Sequence, residues 1–257
     1  MDGVRAGAAR PWLRWLATIA PVTPLLRWAV LVHSVPADQP WRRGCPHCDA
    51  PFRPPAGLPA LLPAGRCGGC GERIGAPAYT VETTAVTAAG LVAVAVAAGG
   101  RSVWEAIAFA GWAAAAVALT FIDLAVHRLP DRLTLPAAAW ALAWLGVAAA
   151  ITDAGDAWVR AAVAALVCGV GFALVTLIFG ARGFGLGDAK MVLGAGALLG
   201  WLGWTALVAG LLLSFLASGL VATGLLIARK VGRKDTLPFG PFLALGTLVT
   251  LAWAGLS

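Results

Sequence analysis

Residues 183–190 read GFGLGDAK, and this stretch places a carboxylate, Asp188, directly behind three alternating glycines. An apolar segment begins immediately afterwards, at Met191. A second carboxylate, Asp123, lies at the end of another apolar segment, 104–122. Ionisable residues in or beside a membrane span are costly and commonly mark functional sites. The rest of the chain is therefore interpreted around this pair of acids.

The composition is that of a membrane protein. The chain has 257 residues, of which 60% are hydrophobic and 12% are charged, whereas a soluble domain carries about 25% charged residues. Its mean hydropathy is +0.84. The net charge of +7 indicates basic cytoplasmic loops, because no basic patch is interleaved with aromatic residues. We therefore expect the lipid bilayer as a partner and no nucleic acid.

Long apolar runs after residue 78 predict an all-α polytopic membrane protein with about six to eight transmembrane helices. The run 190–200 is short for a full crossing, so it is either tilted or partly re-entrant. An earlier run, 12–33, is interrupted by arginines and prolines and is either a degenerate span or an interfacial helix. The predicted spans are 79–99, 104–122, 134–152, 158–180, 190–200, 203–228 and 238–256.

The chain divides into two parts on composition. Residues 1–78 form an N-terminal segment that is rich in arginine and proline and holds four paired cysteines, whereas residues 79–257 form the transmembrane domain. Basic residues cluster in the loops around 123–133, 181–190 and 229–237. The positive-inside rule places these loops and the cysteine segment in the cytoplasm. The acids Asp123, Asp131 and Asp188 then share the cytoplasmic side.

The cysteine segment has the spacing C-x2-C-x18-C-x2-C. Two such knuckles supply four thiolates to a structural zinc ion. A pair of disulfides or a redox couple is the alternative, and cytoplasmic disulfides are disfavoured. His47 lies between the first two cysteines and is interpreted as a neighbour of the site. The predicted ligands are Cys45, Cys48, Cys67 and Cys70.

Two carboxylates that face each other across a helix interface can share one proton. The ionised member then acts as a general base on water, and the protonated member hydrogen-bonds the scissile carbonyl. The glycines at 183, 185 and 187 would let an extended substrate approach Asp188. Lys190 either tunes the pair electrostatically or anchors the loop at the membrane surface.

Each acid also has a purely structural interpretation. Asp123 can be a solvated helix-end residue, and Asp188 can cap the helix that starts near 189. Asp131 follows Pro130 and can cap the next helix. Glu82 is either a first-turn acid or a residue that lines the site.

These motifs resemble the bacterial prepilin peptidases (type IV leader peptidases), which are membrane-embedded aspartyl proteases of the GxGD type. GFGLGDAK (183–190) is similar to the family's GxGxGDxK, and IDLAVHRLPDRLTLP (122–136) to its D-x6-P-D segment. LPFGPFLALG (237–246) is similar to its C-terminal signature. The cysteine segment followed by YTVE (79–82) resembles its zinc-bearing insertion. The motifs follow the family's order over most of the chain.

The resemblance implies that Asp123 and Asp188 are the catalytic pair and that Asp131 supports them, with Gly185, Gly187, Lys190 and Glu82 as further supporting residues. The substrates would be prepilins and pseudopilins of type IV pili or type II secretion, cut before their apolar N-terminal helix. The protein would lie in the inner membrane with its active site facing the cytoplasm.

Many zinc-bearing members also methylate the new N-terminus with S-adenosylmethionine. Here the stretch 26–48 departs from the family pattern, so peptidase activity with or without methylation remains open. Two other classes are considered: a non-catalytic assembly factor for pili or secretion, and a small ion-coupled transporter. A transporter commonly shows inverted repeats and acids near the midplane, and the sequence has neither.

Overall fold

The structure is a computed structural model that describes residues 22–36, 39–52, 58–179, 185–232 and 237–256. Within these ranges the chain is helical, and its only extended pairings are two isolated β-bridges. The helices are α1 (Val22–His33), α2 (Leu58–Leu61), α3 (Thr80–Ala98), α4 (Val103–Val126), α5 (Asp131–Thr152), α6 (Gly155–Phe179), α7 (Leu186–Leu202), α8 (Trp204–Ile227) and α9 (Gly240–Leu256).

The predicted all-α polytopic membrane fold is confirmed. Helices α3, α4, α5, α6 and α8 are long and apolar enough to cross a bilayer. Helices α7 and α9 have 17 residues each, which gives each a length of about 25 Å. All seven helices pack into one bundle.

Short connections make successive helices antiparallel. The end of α4, the start of α7 and the start of α9 therefore lie at one end of the bundle. This end, called the basic end below, is defined by loop 127–130, Gly185 and Gly240. The cations Arg128, Arg132, Lys190, Arg229 and Lys230 lie near it, whereas Arg101 and Arg160 lie at the opposite end.

Helix α7 is the centre of the bundle. It contacts α4, α5, α6, α8 and α9, and 12 of its 17 residues are buried. A Cβ atom on Gly196 would lie 3.1 Å from Cα of Ala165, and one on Gly200 would lie 2.5 Å from Cβ of Ala164. The two glycines therefore allow α6 to approach closely, as small residues do in lipid. The predicted short span 190–200 is part of this longer, uninterrupted helix.

The opposite end of α7 is held by charged side chains. Arg160 on α6 donates hydrogen bonds to the carbonyl oxygens of Gly200 and Trp201, at 2.7 and 2.8 Å. The Trp201 indole donates to Glu105 at 2.8 Å. Glu105 also accepts from Arg101 and from both the backbone N–H and the hydroxyl of Ser102. The two hydrogen bonds from Arg160 satisfy carbonyl groups that the end of a helix leaves unpaired.

The N-terminal run 12–33 is described only from residue 22. Residues 22–33 form α1, and residues 12–21 lie outside the described ranges. Arg27, interpreted from the sequence as an interruption of a span, is 2% exposed. It pairs with Glu82 at 2.6 Å and donates to the carbonyl oxygens of Pro63 and Pro77. The arginine therefore joins α1, α3 and the chain on both sides of the second cysteine knuckle.

Candidate active site

Asp123 lies one turn before the end of α4. The helix ends because His127 adopts a left-handed conformation with φ 50°, and its N–H donates to the carbonyl oxygen of Asp123 at 2.8 Å. The chain then turns through loop 127–130 into α5. The Asp123 side chain is consequently held at the basic end, and the residue is 5% exposed.

Asp188 lies in the first turn of α7. Gly185 occupies the N-cap position with extended backbone, and the Asp188 carboxylate reaches back to accept a hydrogen bond from its N–H at 2.9 Å. Asp188 is therefore the third residue of the helix and not its N-cap. Like Asp123, it is buried.

Gly240, the first residue of α9, contacts Asp123 directly. Its N–H is one of the donors that a helix start leaves unpaired, and it donates to Oδ2 of Asp123 at 3.0 Å. A Cβ atom at this position would lie 2.8 Å from that oxygen and 3.5 Å from Sδ of Met191. Only a glycine allows α9 to come so close to the carboxylate.

The two aspartates are brought together by these contacts. Met191 lies one turn after Asp188 on α7, and it borders the same glycine that binds Asp123. Asp123 and Asp188 lie on α4 and α7, which contact each other. Each carboxylate therefore receives one N–H from the start of a helix, where the helix dipole favours negative charge. Both carboxylates thus lie at the basic end of the bundle, each beside the start of a helix.

Asp131 and Lys190 bind each other instead of the aspartate pair. Their ion pair measures 2.6 Å between Nζ and Oδ1, and the Lys190 and Asp131 side chains are 35% and 58% exposed. The pair joins the start of α5 to α7. Among the described residues, Lys190 contacts neither Asp123 nor Asp188 through an ion pair or a hydrogen bond.

The glycines of the 183–190 stretch have different surroundings. A Cβ atom on Gly187 would lie 2.8 Å from Cβ of Leu129, so this glycine makes room for loop 127–130. Gly185 is exposed and leaves space beside Asp188, where a Cβ atom would lie 3.7 Å from Oδ2. The glycine at 183 falls outside the described residues.

Glu82 lies at the start of α3 and pairs with Arg27 through both carboxylate oxygens, at 2.6 and 2.8 Å. Its hydrogen bonds within the described chain go to Arg27 and not to Asp123 or Asp188. The structure therefore places Glu82 in the link between the N-terminal segment and the bundle.

The four cysteines form a separate cluster. Their Sγ atoms all lie within 4.8 Å of one another. The two knuckles share one conformation: the residue after each pair, Asp49 or Gly71, has positive φ, and a backbone N–H donates to the first sulfur of each pair. His47 is outside the cluster, as the sequence predicts. The predicted ligand set Cys45, Cys48, Cys67 and Cys70 is thereby brought together.

The chemistry of this cluster suits a thiophilic metal ion. Backbone N–H groups of Cys70 and Gly69 lower the pKa of the Cys67 thiol, whereas burial raises the pKa of the Cys48 and Cys70 thiols, so a bound metal ion would be needed to hold all four as thiolates. Four sulfurs leave no open coordination position, so zinc here would crosslink the two knuckles structurally. The cysteines are free of disulfides.

Comparison with known proteins identifies the family. The sequence model described as "Type IV leader peptidase family" matches residues 107–227. A "Prepilin leader peptidase/N-methyltransferase" of Aeromonas hydrophila is 35% identical over 215 residues, which cover 82% of this chain and 71% of the relative. The chain belongs to the type IV leader peptidase family.

Other relatives of the same name extend the match. The protein from Burkholderia pseudomallei (strain 1026b) is 36% identical over 251 residues, covering 92% of this chain and 75% of its own length. The protein from Pseudomonas aeruginosa is 31% identical over 216 residues, covering 81% of this chain and 70% of its own length. No solved structure matches the chain significantly.

The region matched by the leader peptidase family, 107–227, contains both Asp123 and Asp188 but not Gly240. The sequence motif around Gly240 was recognised as similar to a family signature, but the glycine itself was assigned no role. Arg27 was also missed as a binding residue, because a lone arginine in an apolar run is typical of a broken span. The signal for Gly240 was its position just before a proline, where helices often begin.

Proposed function

We propose that this leader peptidase family member is a membrane-embedded aspartic endopeptidase that removes the leader peptide of type IV prepilin-like proteins. Asp123 and Asp188 would be its catalytic residues. The family and the relatives' names support prepilin peptidase activity, and the helices support an integral protein of a bacterial membrane. The inner membrane, with the basic end in the cytoplasm, is part of the proposal and follows from the positive-inside rule.

The catalytic roles are proposed from the burial and the hydrogen bonds of the two aspartates. Asp123 and Asp188 are buried at the same end of the bundle, and each binds a single backbone N–H through Oδ2. No other donor among the described residues reaches either carboxylate. Their remaining oxygen atoms are thus available to a shared proton, to water and to a substrate.

The proposed reaction needs one proton on the pair. The ionised carboxylate takes a proton from water as the water oxygen attacks the scissile carbonyl carbon, while the protonated carboxyl group donates to the carbonyl oxygen. The tetrahedral intermediate then collapses. The C–N bond breaks, the amine nitrogen takes a proton from the pair, and the leader leaves with a new carboxyl group.

The four-cysteine cluster supports a structural role for the N-terminal segment 1–78 beside the peptidase domain 79–257. Zinc held by the four sulfurs would fix the two knuckles, and Arg27 would connect that segment to α3. Metal analysis of the purified protein tests this part. Zinc bound by the wild type and by His47→Ala, and lost in Cys48→Ser, would support it. Retention of zinc in Cys48→Ser would overturn it.

The central test is a cleavage assay in membranes with a prepilin-like protein from the same bacterium. Asp123→Asn and Asp188→Asn keep side-chain size and remove the charge. We expect each to abolish cleavage while the protein remains inserted and folded. Asp156→Asn, an exposed acid in the first turn of α6, is the matched control and should cleave normally.

Two results would contradict the proposal. Cleavage by either dyad variant removes that residue from the mechanism. An inactive wild type with several prepilin-like substrates favours a non-catalytic assembly factor.

Methylation is tested on the same product. The relatives' names include N-methyltransferase activity, and S-adenosylmethionine would be the methyl donor. Mass spectrometry of the new N-terminus, with and without S-adenosylmethionine, decides between a peptidase and a peptidase that also methylates.

A further inference from the structure

A groove of about 280 Å³ lies between α3, α4 and α9. It belongs to no feature described so far. Its walls are mostly apolar, and three threonines interrupt them. The lining includes Thr84 and Thr87 of α3, Thr120 of α4, and Pro241 and Phe242 of α9.

The groove ends beside Asp123. Thr120 precedes Asp123 by three residues on α4, which is one turn on nearly the same face of the helix. Pro241 directly follows Gly240, whose N–H binds the Asp123 carboxylate. The groove therefore continues the aspartate site into the membrane.

The threonines give this groove a polar part. No hydrogen bond joins the hydroxyl of Thr84 or Thr120 to another described residue, whereas the Thr87 hydroxyl donates to the carbonyl oxygen of Thr83. Threonine in a helix commonly bonds back to its own helix in this way. Thr84 and Thr120 thus retain hydroxyl groups that can bind a partner.

A second groove, of about 430 Å³, flanks α3 on its other side and provides an internal comparison. It lies between α1, α3 and α4, and its lining is alanine, valine and leucine without a hydroxyl group. It extends to Ala97 and Ala106, which lie at the opposite end of the bundle from Asp123. The larger groove therefore offers apolar contact alone.

We infer that the threonine-lined groove binds the apolar helix of the substrate, immediately after the bond that is cut. This inference rests on the proposed peptidase function. A helix lying in a groove contacts it through residues three and four positions apart, and small residues such as Ala88 and Ala244 allow close approach in lipid. The groove is thus complementary to an apolar helix whose first residues expose polar backbone groups.

The polar part of the groove matches what peptide cleavage requires. A substrate must leave the helical conformation at the cut site, and the freed N–H and C=O groups need partners inside a membrane. The hydroxyls of Thr84 and Thr120 lie where that transition would occur and can serve as these partners. The same residues would then set how far the substrate helix enters and which bond faces the aspartates.

Photocrosslinking tests the binding site directly. The Asp123→Asn protein would carry p-benzoylphenylalanine in place of Thr87 or, in the other groove, in place of Ala110. Each variant would be mixed in membranes with a prepilin-like protein from the same bacterium. We expect the substrate to crosslink at position 87 and not at 110. A crosslink at 110 only, or equal crosslinks at both positions, would overturn the inference.

Kinetics test the hydroxyl groups. Thr84→Val and Thr120→Val keep side-chain shape and remove one hydroxyl each, and each is expected to lower kcat/KM about tenfold. Thr223→Val, at a threonine of α8 that bonds to its own helix, is the matched control and should retain wild-type kinetics. Wild-type kinetics in both groove variants would remove the hydroxyls from the site.

Failure of the inference is distinguishable from failure of the proposed function. If the wild type cleaves the substrate and position 87 does not crosslink, the peptidase assignment stands and the groove is excluded. If the wild type does not cleave and position 87 still crosslinks, the groove binds the substrate of a protein that lacks peptidase activity.

Discussion

Three acids are buried among the described residues of the bundle, and their two locations differ in how many donors reach them. Glu105, at the opposite end, accepts hydrogen bonds from Trp201, from Arg101 and twice from Ser102. Asp123 and Asp188, at the basic end, accept one backbone N–H each.

The difference separates a structural acid from the two acids that we propose to be catalytic, called the reactive pair below. Buried polar groups normally have at least one hydrogen-bond partner, and an ionised carboxylate can accept several hydrogen bonds. Glu105 has its oxygens occupied by the protein, so it stabilises the end of α7 and has little capacity left for chemistry. Asp123 and Asp188 accept fewer hydrogen bonds from the described residues, which costs stability and leaves oxygen atoms available for the proposed proton transfer.

The largest effect on stability is expected from replacing Glu105, whose oxygens are all hydrogen-bonded. Glu105→Gln leaves Arg101 without its partner and turns an amide group toward hydrogen-bond donors. The free energy of unfolding should fall by roughly 3 kcal/mol, while activity per folded molecule falls only a few-fold, because Arg160 still holds the last turn of α7. Reversible unfolding in detergent measures the first quantity, and the cleavage assay measures the second. Glu72→Gln, at an exposed acid, is the matched control. An unchanged stability would mean that the donors around Glu105 contribute nothing.

Displacing one carboxylate of the reactive pair should affect catalysis instead. In Gly240→Ala the new methyl group would lie 2.8 Å from Oδ2 of Asp123, so the carboxylate must move. We expect kcat to fall about a hundredfold, with the protein still folded. Gly219→Ala on α8 meets no atom within 4 Å and should retain activity. Normal turnover by Gly240→Ala would mean that the position of Asp123 is not critical.

Neutralising one acid of the reactive pair should raise the free energy of unfolding. Asp123→Asn removes a group whose charged form is costly in a site with a single donor. We expect the free energy of unfolding to rise by about 1 kcal/mol as cleavage is lost. Loss of both stability and cleavage would instead make Asp123 a structural residue like Glu105.

The smallest effect is expected for the ion pair between Lys190 and Asp131. The pair is largely accessible to solvent, so Lys190→Met should change stability by less than about 1 kcal/mol and cleavage only a few-fold. The cleavage assay decides between the two interpretations of this lysine. A loss of cleavage comparable to that of Gly240→Ala would show that Lys190 tunes the aspartates.

The helices were largely predictable from the sequence, because most of the apolar runs have the length of a membrane-spanning helix. The predicted run 104–122 became Val103–Val126, and 203–228 became Trp204–Ile227. Helix α7 was predicted too short. The glycines and Asp188 at its start are typical of a loop. In the structure, however, the Asp188 carboxylate stabilises the first turn by accepting a hydrogen bond from the N–H of Gly185.

The partners of charged residues were less predictable, because they depend on contacts between distant segments. Glu82 and Arg27 are 55 positions apart and gave no joint signal, although they form a buried ion pair. The role of Gly240 is equally invisible in a single sequence, since it follows from the packing of α9 against α4. The cysteine cluster was predictable because both knuckles are local and their spacing alone selects the ligands.

Helix α7 has a consequence for how the protein tolerates change. Its glycines fix it against α6, and Arg160 holds its last turn, while Asp188 lies in its first turn. A close-packed helix moves as a unit, so a shift at Gly200 reaches Asp188 across about 18 Å. Genetic suppressors of a weakened active site are therefore expected on the far side of the membrane, where residues never meet the substrate. We therefore expect substitutions there to change the alignment of the proposed catalytic residues as well as the stability of the protein.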